Sequence, residues 1–121
     1  MAEISYEVIK TGEFYSLVQW KNLLLNDTGK GMIFPEMSDR SVTISGVFGA
    51  GGNCRIEGTN ELDWTNPVTL NCALTGLPLD LIAVGIKLIA ENVYMIRPHI
   101  TAGDGTTLLT VNLLLSTSSH A

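Results

Sequence analysis

The side chains of this sequence that could do chemistry are two histidines and a few serine, carboxylate and cysteine residues. His99 lies in a β-rich run and His120 in the C-terminal tail, and neither has a companion at metal-ligand spacing, such as HxxxH or a nearby CxxC. Ser45, His99 and Asp104 could supply a Ser-His-Asp arrangement, but no strained nucleophile turn of the GxSxG type occurs. We therefore expect a packed or hydrogen-bonded His99 and no enzymatic activity.

Two further patterns could bind ions. Glu61 and Asp63 share one polar loop that could hold calcium, but the loop lacks the regular Asp/Asn spacing and the glycine of a calcium loop. The Gly-Lys pair at 29–30 resembles part of a phosphate-binding loop, yet Leu24 stands where the first glycine belongs and Gly31 where Ser or Thr belongs. We interpret the carboxylates as solvating charges and the Gly-Lys pair as an ordinary turn. No metal ion or cofactor is expected.

The two cysteines fit a structural role. Cys54 and Cys72 each lie on the apolar parity of their own runs, so they could be neighbours on adjacent strands. In a reducing compartment such a pair stays reduced. We predict two buried thiols that behave as small hydrophobic side chains.

Charge argues against nucleic acid as a partner. The chain has 7 Lys and Arg against 12 Asp and Glu, a formal net charge of −5, and its basic residues are scattered singly. Phosphate backbones require clustered positive charge, so nucleic-acid binding is disfavoured. The first residues are polar and acidic, without the basic and apolar regions of a signal peptide, so we expect synthesis and residence in a cytoplasm.

Hydrophobic composition points to a partner instead. Hydrophobic residues make up 45% of the 121 residues and charged residues only 16%, which is poor in charge for an isolated domain. Some of the apolar surface is therefore expected to face another protein. The longest apolar stretch, 77–90, is interrupted by Pro78, Asp80, Gly85 and Lys87 and is shorter than the roughly 20 residues of a membrane helix. We expect no membrane association.

The elements that would position these residues are β-strands. Two β-rich runs, 96–102 and 106–115, flank the turn 103–105, and the runs 42–48 and 54–60 flank the glycine-rich turn 49–53. Because glycine reaches positive φ without a Cβ clash, both patterns predict β-hairpins.

The remaining runs complete an all-β fold. Alternation at 4–8, 14–20 and 68–74 predicts strands, while 77–92 fits a buried strand up to Ile86 followed by one helical turn. With about eight short strands and no sustained amphipathic helix, the sequence predicts an antiparallel β-sandwich of jelly-roll type. We assign residues 1–13 to an N-terminal extension, 14–115 to the sandwich and 116–121 to a polar tail.

Arg97 and Trp64 are the other side chains suited to contacts. Arg97 projects from a strand and could make bidentate contacts to a carboxylate, either within the fold or on a neighbouring molecule. Trp64 lies in a polar loop and is expected to fold back onto a sheet face, since an indole in solvent wastes apolar area.

Three segments together carry a family resemblance. Residues 39–52, residues 56–60 with Trp64 after them, and residues 94–107 resemble, in this order, the small β-sandwich proteins encoded near the major capsid protein of tailed bacteriophages. Those proteins are capsid accessory proteins, called decoration or cement proteins. The resemblance covers roughly residues 15–115, and the sequence departs from the pattern at 61–64 and in the extension 1–13.

The resemblance implies a non-catalytic virion protein. It would bind the outer surface of the assembled capsid and bridge adjacent capsomers, with the major capsid protein as its partner and further copies of itself beside it as a homo-oligomer. Assembly would take place in the cytoplasm of the host bacterium.

Aromatic anchors typically dominate interface energies. Phe14, Tyr15 and Trp20, beside the extension, are therefore candidate interface residues, together with Trp64 and Arg97, although the aromatic group could equally belong to the core. Two other functions remain open: a phage tail or neck component, and a carbohydrate-binding module with Trp20 or Trp64 as its stacking platform.

Overall fold

The computed structural model describes residues 2–33 and 39–117, and these residues contain strands and no helix. The strands are β1 (Glu3–Ile4), β2 (Glu7–Thr11), β3 (Tyr15–Leu23), β4 (Thr28–Gly29), β5 (Met32–Ile33), β6 (Asp39–Val47), β7 (Asn53–Thr59), β8 (Val68–Thr69), β9 (Asp80–Leu81), β10 (Gly85–Leu88), β11 (Met95–Ala102) and β12 (Leu108–Ser116). The all-β prediction is confirmed, with twelve described strands rather than about eight, because several connections form two-residue strands.

The strands form two sheets. The first sheet has the order β1-β4-β11-β7-β8, with β5 also beside β11 and β9 also beside β7. The second sheet has the order β10-β6-β12-β3-β2. Pairing is antiparallel except between β1 and β4, which run parallel. Buried side chains of both sheets belong to one core cluster, which gives a sandwich-like arrangement.

The prediction of two hairpins is wrong. β6 lies in the second sheet and β7 in the first, and β11 lies in the first sheet and β12 in the second. β7 pairs instead with β11, and β12 lies between β6 and β3. Each glycine-rich turn therefore carries the chain from one sheet to the other, and we call residues 48–52 the first corner and residues 103–107 the second corner.

The alternation of side chains along each strand determines which of them enter the core. In β12 the side chains of Leu109, Val111, Leu113 and Leu115 are fully buried, while the residues between them face outward. From the first sheet, the buried side chains include Cys54, Ile56, Ile96 and Ile100.

One lateral side of the sandwich is closed by the N-terminal segment. β1 pairs with β4 in the first sheet and β2 pairs with β3 in the second. The amide of Ala2 donates to Asp27 Oδ1 at 3.1 Å. The residues that the sequence assigned to an extension are thus members of both sheets. In the predicted tail, Ser116 belongs to β12 and Thr117 donates to the carbonyl of Phe14, while residues 118–121, including His120, lie outside the described part.

The opposite lateral side is closed by residues 68–90. This segment pairs with the first sheet through β8 and β9, both beside β7, and with the second sheet through β10, beside β6. The helical turn predicted after Ile86 is wrong, because β10 runs to Leu88 and the amide of Ile89 donates to the carbonyl of Arg40.

Candidate docking surfaces

The residues considered for nucleophilic catalysis do not converge. Ser45 lies on β6 of the second sheet, and His99 lies on β11 of the first. Asp104, in the second corner, accepts hydrogen bonds from Ala50 and Thr106. Among residues 2–33 and 39–117, no three His, Cys, Asp or Glu side chains group as a metal site would require.

His99 instead belongs to a polar cluster on the outer face of the first sheet. The register of β7 and β11 places Arg97 directly opposite Glu57. Arg97 Nη2 and Nε lie 2.9 and 3.0 Å from Glu57 Oε1, and His99 Nδ1 lies 3.1 Å from Glu57 Oε2. The carboxylate partner expected for Arg97 is therefore within the fold. Sequence reasoning did not identify Glu57, because β7 and β11 are not consecutive strands.

Trp64 completes this cluster. The Arg97 guanidinium lies 4.2 Å from the centroid of the Trp64 ring, a cation–π contact. A Cβ on Gly31 would come within 2.9 Å of Trp64 Cζ2, so the glycine makes room for the indole. Trp64 thus folds back onto the first sheet, where two of the five candidate interface residues, Trp64 and Arg97, contact each other.

Trp20 lies in the core. Its side chain is only 1% exposed, its Nε1 donates to the carbonyl of Lys30 at 3.0 Å, and its ring meets Tyr6 edge-to-face at 5.9 Å between centroids. It is therefore not accessible to a partner in this fold. Tyr15 is half-buried, and Phe14 is the exposed member of the aromatic group.

One exposed apolar surface follows the outer strand of the second sheet. Every residue of β2 is exposed. Val8, Ile9 and Phe14, which are 56%, 47% and 44% exposed, define what we call the N-terminal edge. Glu7 and Lys10 flank the two aliphatic side chains on the same strand.

A larger apolar surface covers the opposite lateral side. Its members point outward from segment 68–90 and are between 43% and 79% exposed; we call them the apolar side: Leu74, Leu77, Ile82, Val84, Ile86 and Leu88. The prediction of a buried strand up to Ile86 is therefore wrong. The segment lies at the margin of the sandwich, so only one of its faces packs against the core. The buried side chains on that face are Leu70, Leu79 and Leu81.

A surface pocket opens within the apolar side. It has a volume of about 340 Å³, and its walls include Leu77, Ile82 and Val84 together with Asp80 and Lys87. The pocket is therefore mainly apolar, with one charge of each sign in its walls.

Both cysteines are free and buried, as predicted. They are not paired with each other, since Cys54 lies opposite Leu81 and Cys72 opposite Ile89. Burial raises the pKa of the Cys54 thiol to about 12. Cys72 lines the pocket, and the hydrogen bond from the Thr75 hydroxyl holds the pKa of this thiol below its ordinary value.

In the described part of the chain, no helix could serve as a membrane span. Comparison of the chain with models of protein families, with curated proteins and with solved structures finds no match. Function is therefore inferred from the surfaces of the chain itself.

Proposed function

We propose that this protein is a non-enzymatic structural virion protein of a tailed bacteriophage, a cement or decoration protein that binds the outer capsid surface. It stabilises contacts between subunits of the major capsid protein, and it joins the particle in the cytoplasm of the host bacterium. The likeness of residues 39–52 and 94–107 to such proteins supports the class of protein.

The observation that carries the proposal is the exposed apolar surface. Among the described residues, sixteen large hydrophobic side chains are at least 40% exposed, in a chain with only 16% charged residues. Nine of them belong to the N-terminal edge and the apolar side. These surfaces lie on opposite margins of the second sheet, since β2 and β10 are its outermost strands. Exposed apolar side chains in this number are typical of proteins that work within an assembly.

The mechanism is additive. A protein that binds the assembled shell and not its separated subunits stabilises the shell by mass action. Each copy needs to bury only a modest apolar surface, because the number of copies multiplies the effect. The N-terminal edge is the proposed contact with the capsid, since Val8, Ile9 and the aromatic side chain of Phe14 are all exposed there.

The finer fold assignment is also a proposal. Jelly rolls are built from two sheets with Greek-key connections. In support, the chain changes sheets between the long strands β6 and β7 and again between β11 and β12.

A carbohydrate-binding module has little support, because Trp20 is buried and Arg97 covers one face of Trp64. Stacking of a sugar ring requires an accessible aromatic face.

The test is binding to capsids of the source phage from which the protein has been stripped. Wild type should restore full occupancy, and the double variant Val8→Asp/Ile9→Asp should bind at least about thirtyfold more weakly, the equivalent of about 2 kcal/mol for a lost anchor. Leu62→Asp is the control, because Leu62 is 86% exposed but lies in the polar loop. Melting curves of the free variants establish that they are folded.

Failure of wild-type protein to bind capsids would overturn the cement function, and binding to isolated tails instead would favour a tail or neck component. Full occupancy by the double variant would exclude the N-terminal edge as the contact.

A further inference from the structure

We propose that the apolar side binds the apolar side of a second copy of this chain, forming a two-fold dimer with Ile86 at the axis. This proposal does not depend on the virion function, because it concerns the free protein in solution.

The backbone at Ile86 is available for pairing. The amide of Ile89 donates to the carbonyl of Arg40, and the same antiparallel register pairs Lys87 with Val42 and Gly85 with Ile44. Because hydrogen-bonded and non-hydrogen-bonded pairs alternate along an antiparallel ladder, Gly85 and Lys87 direct their polar groups toward β6. Ile86 directs its amide and carbonyl toward the open margin of the sheet.

This open margin is short. The carbonyl of Leu88 accepts a hydrogen bond from the amide of Ala73, so the chain around Ala73 covers the margin from Leu88 onward. Only the residues around Ile86 remain open. An antiparallel pairing centred on Ile86 joins two copies but cannot extend further along the strand, because the backbone of Leu88 is already hydrogen-bonded to Ala73. A closed dimer follows rather than an extended fibre.

The side chains of the apolar side are self-complementary in this arrangement. A two-fold axis at Ile86 places this side chain beside its own counterpart and places Lys87 of each copy opposite Gly85 of the other. A Cβ at Gly85 would have no atom closer than 4.0 Å, so the surface opposite Lys87 is open. The lysine therefore has room to extend without meeting a like charge.

Charge favours a second copy at this surface more than elsewhere. The chain carries a net charge of −5, so two copies repel each other over most of their surfaces. Segment 68–90 contains one acidic residue, Asp80, and one basic residue, Lys87, so its net charge is zero. Asp80 is already engaged by Arg55 at 3.7 Å and by Asn53 at 2.6 Å. Two copies can therefore approach here with little electrostatic cost.

The extent of the surface suits a dimer. Six large aliphatic side chains are each more than 40% exposed on this surface, whereas the largest apolar patch on a typical monomer covers roughly 300–600 Å² in all. Stable interfaces bury about 800 Å² per partner, so the dimer would also cover the adjoining backbone and the rim of the pocket.

The experiment measures the mass of the full chain in solution by analytical ultracentrifugation over a range of concentrations. Wild type should reach twice the monomer mass of 13.0 kDa. Val84→Asp should shift the equilibrium from dimer to monomer and raise the dissociation constant of the dimer at least about tenfold. Val8→Asp is the matched control, since Val84 and Val8 are 63% and 56% exposed near opposite margins of the same sheet and both changes add one negative charge. The control should remain a dimer.

A cysteine variant provides a measurement that does not depend on an introduced charge. Ile86→Cys should form a disulfide between two copies under mild oxidation at low protein concentration, because the axis places the two thiols next to each other, whereas Val8→Cys should not. A wild-type protein that stays monomeric at concentrations on the order of 100 µM would overturn the proposal. Equal dissociation by Val8→Asp, or equal cross-linking of the two cysteine variants, would overturn the assignment to the apolar side.

Discussion

Asp104 and Ala50 are 54 positions apart in the chain, and the Asp104 carboxylate accepts a hydrogen bond from the Ala50 amide at 2.9 Å. The same carboxylate accepts from the amide and the hydroxyl of Thr106 at 2.8 and 2.6 Å. The Thr107 hydroxyl donates in turn to the carbonyl of Phe48. The two corners that carry the chain between the sheets are thus held to each other by side chains of the second corner.

Replacing this carboxylate should make stability less dependent on pH. The hydrogen bonds from Thr106 and Ala50 hold the pKa of Asp104 below its ordinary value, so the ionised form stabilises the fold. This contribution is present above the unfolded-state pKa of about 3.9 and is lost as the pH falls through the lower folded-state pKa. Asp104→Asn should therefore lower the melting temperature at pH 7 and have a smaller effect at pH 3.

Asp63→Asn is the control for that comparison. The Thr65 hydroxyl and amide also hold the pKa of Asp63 below its ordinary value, but they lie in the same loop. A smaller loss of melting temperature is expected at pH 7, since no second segment is released. Equal losses of melting temperature for the two variants would show that the link between the corners adds no stability.

The corners also show which part of the fold the local sequence does not predict. Glycine-rich turns between β-rich runs are compatible with a hairpin and with a crossover to another sheet, because both need the same permissive backbone, such as the positive φ of Gly49 and Gly103. The strand class was therefore predictable. The pairing of β7 with β11 was not, because it depends on contacts between residues about 40 positions apart.

The candidate surfaces show the same limit. Alternation at 68–74 placed four side chains on one parity, and the structure buries Leu70 and Cys72 but exposes Val68 and Leu74. β8 ends at Thr69, and the chain then turns at the margin of the sandwich, where only part of the parity faces the core. The buried thiols were predictable from local pattern, whereas the exposure of the apolar side required the tertiary fold.

Trp20→Ala should behave as a core mutation. The indole fills space between the sheets and its Nε1 bonds to Lys30, so its removal should cost about 3–5 kcal/mol of the free energy of unfolding. Denaturant unfolding followed by circular dichroism measures this cost. Phe14→Ala is the comparison, and it should cost far less because Phe14 is 44% exposed. A small effect of Trp20→Ala would contradict its place in the core.

Removal of residues 1–13 should destabilise the fold, and not merely release a docking segment. The truncation deletes β1, which pairs with β4, and β2, which pairs with β3. It also leaves Asp27 without the Ala2 amide. We expect a lower denaturation midpoint than that of Val8→Asp, which retains both strands. A truncated chain that melts like wild type would contradict the pairing of this segment.

Glu57→Ala should lower the stability of the fold by more than the few atoms removed would indicate, because it leaves the largely buried Arg97 guanidinium without its carboxylate partner. The two side chains are only 6% and 12% exposed. Loss of one partner of such a pair typically costs about 3–5 kcal/mol. Adding Arg97→Ala should recover part of this loss, which a double-mutant cycle measures. The exposed pair of Arg55 and Asp80, 3.7 Å apart, is the control and should contribute about 1 kcal/mol or less.

The two cysteines should differ in reactivity, although both are buried. The thiolate is the reactive form, and burial raises the pKa of Cys54 to about 12, so this residue should resist alkylation in the folded protein. Cys72 is 5% exposed but lines the pocket, and the Thr75 hydroxyl is the main group that lowers its pKa. Iodoacetamide should therefore modify Cys72 first, as measured by mass spectrometry of peptides at successive times.

Thr75→Val tests the cause of that difference. It removes the hydroxyl that stabilises the thiolate and nearly preserves the side-chain volume, so alkylation of Cys72 should slow while Cys54 stays unmodified. The dimer adds a second expectation. If the apolar side is covered by another copy, alkylation of Cys72 should be faster in the monomeric Val84→Asp variant than in wild type at the same protein concentration. Equal rates in these two proteins would mean that the pocket beside Cys72 stays open when the protein associates.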